Sequence, residues 1–118
     1  MRDRARLRSV ILATSIGGFL VNQASAATVV LRGSDPAGSN SFDSALIAPN
    51  GWDNDAAPSA GNNYFTGAFQ MRSPLGTGAA TFAGTSLSID PGGNFLFKGS
   101  GVYAINNLIL NGLSLIHI

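Results

Sequence analysis

The residues best able to do chemistry lie between Asn50 and Tyr64, where Asp53 and Asp55 flank Asn54 and are bracketed by Trp52 and Tyr64. Two carboxylates about 5–10 Å apart are the minimal machinery of a glycosidase. In extended chain Asp53 and Asp55 would share one side, about 7 Å apart. The pair sits among Gly, Asn and Pro with no adjacent cation or strand-borne partner, so the stronger reading is two solvated turn residues. Calcium is the sharper alternative, because Asn50, Asp53, Asn54 and Asp55 offer hard oxygens on a flexible backbone. The spacing nevertheless lacks the later Glu and fixed Gly of an EF-hand loop. A third use is sugar stacking by Trp52 with Tyr64, each ring having an apolar face and a polar edge. Ordinary core packing and closure of an apolar column compete with it for Trp52. Asp90, followed by Pro91, Gly92 and Gly93, reads as a turn rather than a ligand.

The rest of the chain excludes more chemistry than it offers. There is no cysteine, and His117 is the only histidine. No thiol, imidazole or serine-triad site and no histidine-based metal trio can be assembled. No catalytic residue, metal or cofactor is expected, and the chain is not read as an enzyme.

These residues need elements to position them, and the first is a leader. Arg2, Arg4, Arg6 and Arg8 precede an apolar run over residues 10–21, and Ala24-Ser25-Ala26 follows. That order is the pattern of a secretory signal peptide over residues 1–26, cut after Ala26, with Ala24 and Ala26 as its small recognition residues. A spanning anchor would need about 20 apolar residues, and Gly17, Gly18, Asn22 and Gln23 interrupt or end the run. Removing the leader leaves three cations, Arg32, Arg72 and Lys98, against five aspartates, and no glutamate. The basic pI of about 8.3 therefore belongs to the leader. Three cations neutralise few phosphates, so nucleic acid is not an expected partner. The expected location is secreted or at a bacterial cell surface, with membrane contact only through the leader or a C-terminal anchor beyond the chain.

Downstream, short apolar runs alternate with turn residues. Residues 28–32 form a first strand, 33–41 a loop, and 42–48 either a strand or one helical turn. Residues 49–63 are loop chemistry around Trp52, so 27–63 reads as a loop-rich cap. Strands are then expected over 64–71, 80–83, 86–89, 94–98, 102–105 and 107–110, and no helical period survives. Leu87-Ser88-Ile89 alternates, whereas Phe95-Leu96-Phe97 is apolar throughout, as in a strand buried on both faces or one awaiting a cover. Laying residues 86–90 over 107–111 sets Leu87 on Leu108 and Ile89 on Leu110 at a spacing of 21 residues, although the match does not extend to Thr66. The expected fold is all-β, the start of a right-handed parallel β-helix over residues 64–112, with a β-sandwich as the alternative.

The segments WDNDAAPSAGNNY (52–64), FAGTSLSI (82–89), GNFLFKG (93–99) and INNLILNG (105–112) resemble the opening coils of large bacterial surface proteins with autotransporter-associated β-strand repeats. Such proteins are common in planctomycetes and verrucomicrobia. The resemblance covers about half of the chain. It implies a secreted right-handed β-helix passenger, often ending in a membrane barrel or a PEP-CTERM sorting tail. The last six residues, LSLIHI (113–118), depart from that pattern and resemble a translated sequencing adaptor. They are expected to be an artefactual tail on a truncated chain, which would leave His117 without a role.

The leading functional expectation is a structural or adhesive surface protein, with cell-surface or extracellular polysaccharide as the candidate partner. The first alternative is a carbohydrate-binding or polysaccharide-cleaving β-helix whose site lies in further coils. The second is a jelly-roll recognition module, which would pair its strands antiparallel.

Overall fold

The computed structural model describes residues 25–46 and 49–112, together with the backbone of 115–117. The leader, apart from Ser25 and Ala26, lies outside the described residues. So do the side chains of residues 113–118.

The described chain is all-β, with no helix among the described residues. Its nine strands are β1 (Ala27–Val30), β2 (Asn62–Phe65), β3 (Gln70–Arg72), β4 (Ala80–Phe82), β5 (Ser86–Ile89), β6 (Asn94–Phe97), β7 (Tyr103–Ile105), β8 (Leu108–Leu110) and β9 (Leu115–His117). They form three sheets, ordered β1-β2-β5-β8, β3-β6-β9 and β4-β7. Every pair of neighbouring strands is parallel. From β2 onward the chain visits the first, second and third sheets in turn, then repeats that order through β7 and returns to the first two with β8 and β9. This pairing is not that of an antiparallel sandwich or jelly roll; among the described residues the one antiparallel bridge is an isolated one between Leu31 and Trp52.

Parallel register stacks like on like. In the first sheet Val29, Tyr64, Leu87 and Leu108 form one column. Met71 lies beside Phe95 in the second sheet, and Phe82 beside Ile105 in the third. Val29, Tyr64, Met71, Phe82, Leu87, Ile89 and Phe95 join Leu31, Phe42 and Trp52 in one buried core. Fully burying side chains of this size is worth roughly 1.5–3 kcal/mol each, which offsets the ordering of so many turns.

The spacing of 21 residues appears in the structure as the pairing of Leu87 with Leu108 and Ile89 with Leu110. The preceding interval is 23 residues, from Tyr64 to Leu87. Tyr64 therefore takes the place opposite Leu87 that a constant spacing would give to Thr66. The two-residue difference arises at one corner: five places separate Phe82 from Leu87, but three separate Ile105 from Leu108. The longer corner contains Gly84, where a Cβ would come within 2.5 Å of the Tyr64 ring.

Three local expectations need correction. Residues 64–71 are not one strand: the chain turns after β2 at Gly67, whose φ is 58°, and resumes in another sheet as β3. The Phe69 N–H closes that turn on the Thr66 carbonyl (3.3 Å). Among their described members, residues 42–46 form neither strand nor helix. Asn40 bends this segment by accepting the Asp43 N–H on its side chain (3.0 Å) and the Ser44 hydroxyl on its carbonyl. The alternation in β5 does not expose the serines, since all four residues are buried. The Ser86 hydroxyl donates to Asn63 Oδ1 (2.8 Å) and that of Ser88 to Asp90 Oδ1 (2.7 Å), which satisfies both within the sheet. In β6 Phe95 and Leu96 are buried and Phe97 is half-buried, so both faces are covered at the centre of the strand but not along its whole length.

Candidate functional site

The segment between β1 and β2 gathers most of the chemically capable side chains. Gly, Asn and Pro break its strand pairing, yet its hydrogen bonds anchor it. Residues 50–53 lie antiparallel along the outer edge of β1: Arg32 N–H donates to the Gly51 carbonyl and Asp53 N–H to that of Val30, each at 2.9 Å. Gly51 has a φ of 88°, and a Cβ there would collide with the Leu46 backbone. Only glycine fits this close approach.

Trp52 and Tyr64 come together, but in the core. Both are 0% exposed. Their rings meet edge to face at 4.8 Å, and each also meets Phe82. The Trp52 indole N–H donates to the Ser41 carbonyl (2.8 Å), while the Tyr64 hydroxyl accepts from Ser59 N–H (2.8 Å). With no face open to solvent, neither ring is placed to stack on a sugar, so the glycan-stacking expectation is corrected. Phe42 continues the cluster, stacked on Phe95 and edge-on to Tyr103.

Asp53 and Asp55 are not partnerless turn residues either. Asp53 Oδ1 accepts the Val30 N–H of β1 (3.2 Å). Asp55 Oδ1 pairs with Arg32 Nη2 at 2.6 Å. The two aspartates are not in extended chain, because Asp55 has a φ of 57° and its N–H closes a turn on the Trp52 carbonyl (3.0 Å). Asn54 Oδ1 accepts from Ala56 N–H (3.2 Å), and Asn50 Nδ2 donates to the Ser34 carbonyl (2.9 Å). The oxygens proposed for calcium thus include three already employed in holding the loop.

A carboxylate that the sequence reading passed over is the most enclosed. Asp35, 3% exposed, accepts from Ser41 N–H (2.7 Å) and Arg72 N–H (2.8 Å) on Oδ2 and from the Ser41 hydroxyl (2.5 Å) on Oδ1. Arg72 Nε also donates to the Asp35 carbonyl (3.0 Å). This cluster ties the loop after β1 to β3. Asp90 acts similarly at a corner, accepting Gly67 N–H (2.8 Å) on Oδ2 beside the Ser88 hydroxyl on Oδ1. No local motif announces either role, because the donors lie up to 37 residues away.

No family model, curated protein or solved structure matches the chain. Functional argument therefore rests on the arrangement itself. Among the described residues no group of three His, Cys, Asp or Glu side chains could hold a metal ion. Asp35, Asp53, Asp55 and Asp90 are each engaged in holding backbone or a cation. Such an arrangement closes the edge of a sheet and fixes turns.

Proposed function

We propose that the chain is a segment of an exported structural or adhesive surface protein, a stalk or display passenger without catalytic activity of its own. In this reading the strands are successive coils of a right-handed parallel β-helix. The observation that carries the proposal is the constant order in which the chain visits three sheets of parallel strands, with apolar residues stacked column by column. Repetitive stacking builds length without requiring a reactive centre. The employment of aspartates in turns and edges supports a scaffold over an enzyme. The arginine-rich start supports export, and the likeness of residues 52–112 to autotransporter-associated β-strand repeats supports a bacterial surface location, with polysaccharide as the candidate partner.

Protease shaving of intact bacteria that produce the full chain tests location. The expected result is removal of surface-exposed chain bearing a new amino terminus at Ala27; chain retained in the cytosol with Met1 in place overturns export. Solid-phase binding of the exported chain to polysaccharides then separates scaffold from lectin. Saturable retention on one glycan would displace the purely structural reading in favour of the carbohydrate-binding alternative.

A further inference from the structure

The chain contains two Asn-Gly pairs, Asn50–Gly51 and Asn111–Gly112. Glycine has no side chain to shield its backbone nitrogen or restrict its approach. An Asn-Gly pair is therefore where that nitrogen most readily attacks the preceding side-chain amide. The attack needs freedom in both residues, and the fold distributes that freedom unequally.

Asn50 is held at several points. Its Nδ2 donates to the Ser34 carbonyl (2.9 Å), its carbonyl accepts Arg32 Nη2 (3.2 Å), and the Gly51 carbonyl accepts Arg32 N–H (2.9 Å). Gly51 is buried against the Leu46 backbone. Asn111 and Gly112 are both exposed. Asn111 follows Leu110, the partner of Ile89, and so stands opposite Asp90. On the preceding strand Asp90 itself is stapled, by Gly67 N–H. Asn111 has no equivalent staple: Asp90 N–H is already given to Thr66 Oγ1 (3.0 Å), and the next residue, Pro91, has no N–H to give. Among the described residues the Asn111 side chain makes no hydrogen bond, and only its backbone N–H is tied, to the Ile89 carbonyl (2.9 Å).

We propose that Asn111–Gly112 is a self-modifying site in the folded protein, whereas Asn50–Gly51 is protected. The Gly112 nitrogen forms a bond to Asn111 Cγ, the bond from Cγ to Nδ2 breaks, and ammonia leaves carrying the proton lost by Gly112. Water opens the resulting succinimide at either carbonyl, giving aspartate or isoaspartate at position 111. The product adds a negative charge to residues 99–112, which carry no charged side chain. Charge on an open strand edge opposes pairing with another strand, so the conversion would act as a slow brake on association through β8.

The test is peptide mapping by mass spectrometry of the full chain, incubated at mildly alkaline pH in native buffer and in denaturant. In native buffer Asn111 is expected to gain the mass of an amide-to-acid conversion while Asn50 stays amide. In denaturant the two sites are expected to convert at comparable rates. Conversion at neither site in native buffer, at both sites equally, or with the same bias when unfolded overturns the proposal. Asn111→Gln supplies the control, since its longer side chain closes the ring far more slowly; unchanged native conversion at position 111 in that variant also overturns it.

Discussion

At the outer edge of β1, the backbone of residues 50–53 takes up the Val30 carbonyl and the Arg32 N–H that follows the strand, although Val30 itself is 37% exposed, and Trp52 from the same segment fills the core behind it. At the outer edge of β8, no described strand pairs, and Leu108, Ile109 and Leu110 are 36%, 41% and 48% exposed. The two strands belong to one sheet, and the column running through them is apolar from Val29 to Leu108. The difference lies in what is laid against each edge. Natural sheets blunt exposed edges with charge, proline or cover, and among the described residues the segment 50–53 provides such cover at one edge only.

The largest expected effect comes from removing the anchor of that cover. Trp52→Ala should destabilise the fold by about 3–5 kcal/mol, measured as a shift in the urea midpoint, because it opens a cavity against Tyr64 and Phe82 and frees the Ser41 carbonyl. Leu108→Ala, in the same sheet but half-exposed, should cost less than about 1 kcal/mol. Equal losses would erase the contrast between the edges. Next is Asp35→Ala, which strands Ser41 N–H, the Ser41 hydroxyl and Arg72 N–H in a buried site. A net cost of about 1–3 kcal/mol is expected, the scale of a single buried donor left without a partner, because the Ser41 hydroxyl can turn away and Arg72 is only half-buried. A midpoint unchanged from the parent would show that the loop after β1 is held by its aromatic residues alone.

The pairing of β5 with β8 was legible in the sequence, where residues 86–90 and 107–111 match at a spacing of 21. Leu87 over Leu108 needed only counting. One interval earlier the corner holds two more residues, so a fixed period missed Tyr64 although its ring belongs to the same column. The turn at Gly67 was hidden because the apolar residues around it continue a strand-like run while the chain changes sheet. The cap was legible as turn chemistry, but its purpose was not. Asp53 lies 23 residues from Val30, and Asp35 lies 37 from Arg72, distances over which local spacing carries no information. Trp52 and Tyr64 resemble a sugar platform as isolated residues; their common burial depends on Phe82 and the bridge from Leu31 to Trp52.

A charge placed on the open edge sharpens the comparison from its other side. The parent chain is expected to associate with rising concentration in light scattering, since residues 99–112 carry no charge to deter strand pairing. Ile109→Lys should suppress that association while moving stability by no more than about 0.5 kcal/mol. Association undiminished in this variant would mean that contacts form elsewhere, and the edge would lose its distinction.

The smallest expected effect tests whether the covered edge depends on its only described ion pair. Asp55 is 55% exposed at the side chain and Arg32 26%, and pairs of this exposure contribute roughly 0.2–1 kcal/mol. Asp55 also holds a positive φ, a conformation that glycine adopts without steric cost and alanine does not. Asp55→Gly loses the pair but relieves the backbone, so its melting temperature should stay near that of the parent. Asp55→Ala loses the pair and keeps the strain, and should be the less stable of the two by about 1 kcal/mol. If both variants fell equally far, the ion pair would outweigh the backbone. The edge of β1 would then be closed by charge, and its cover would weaken with salt.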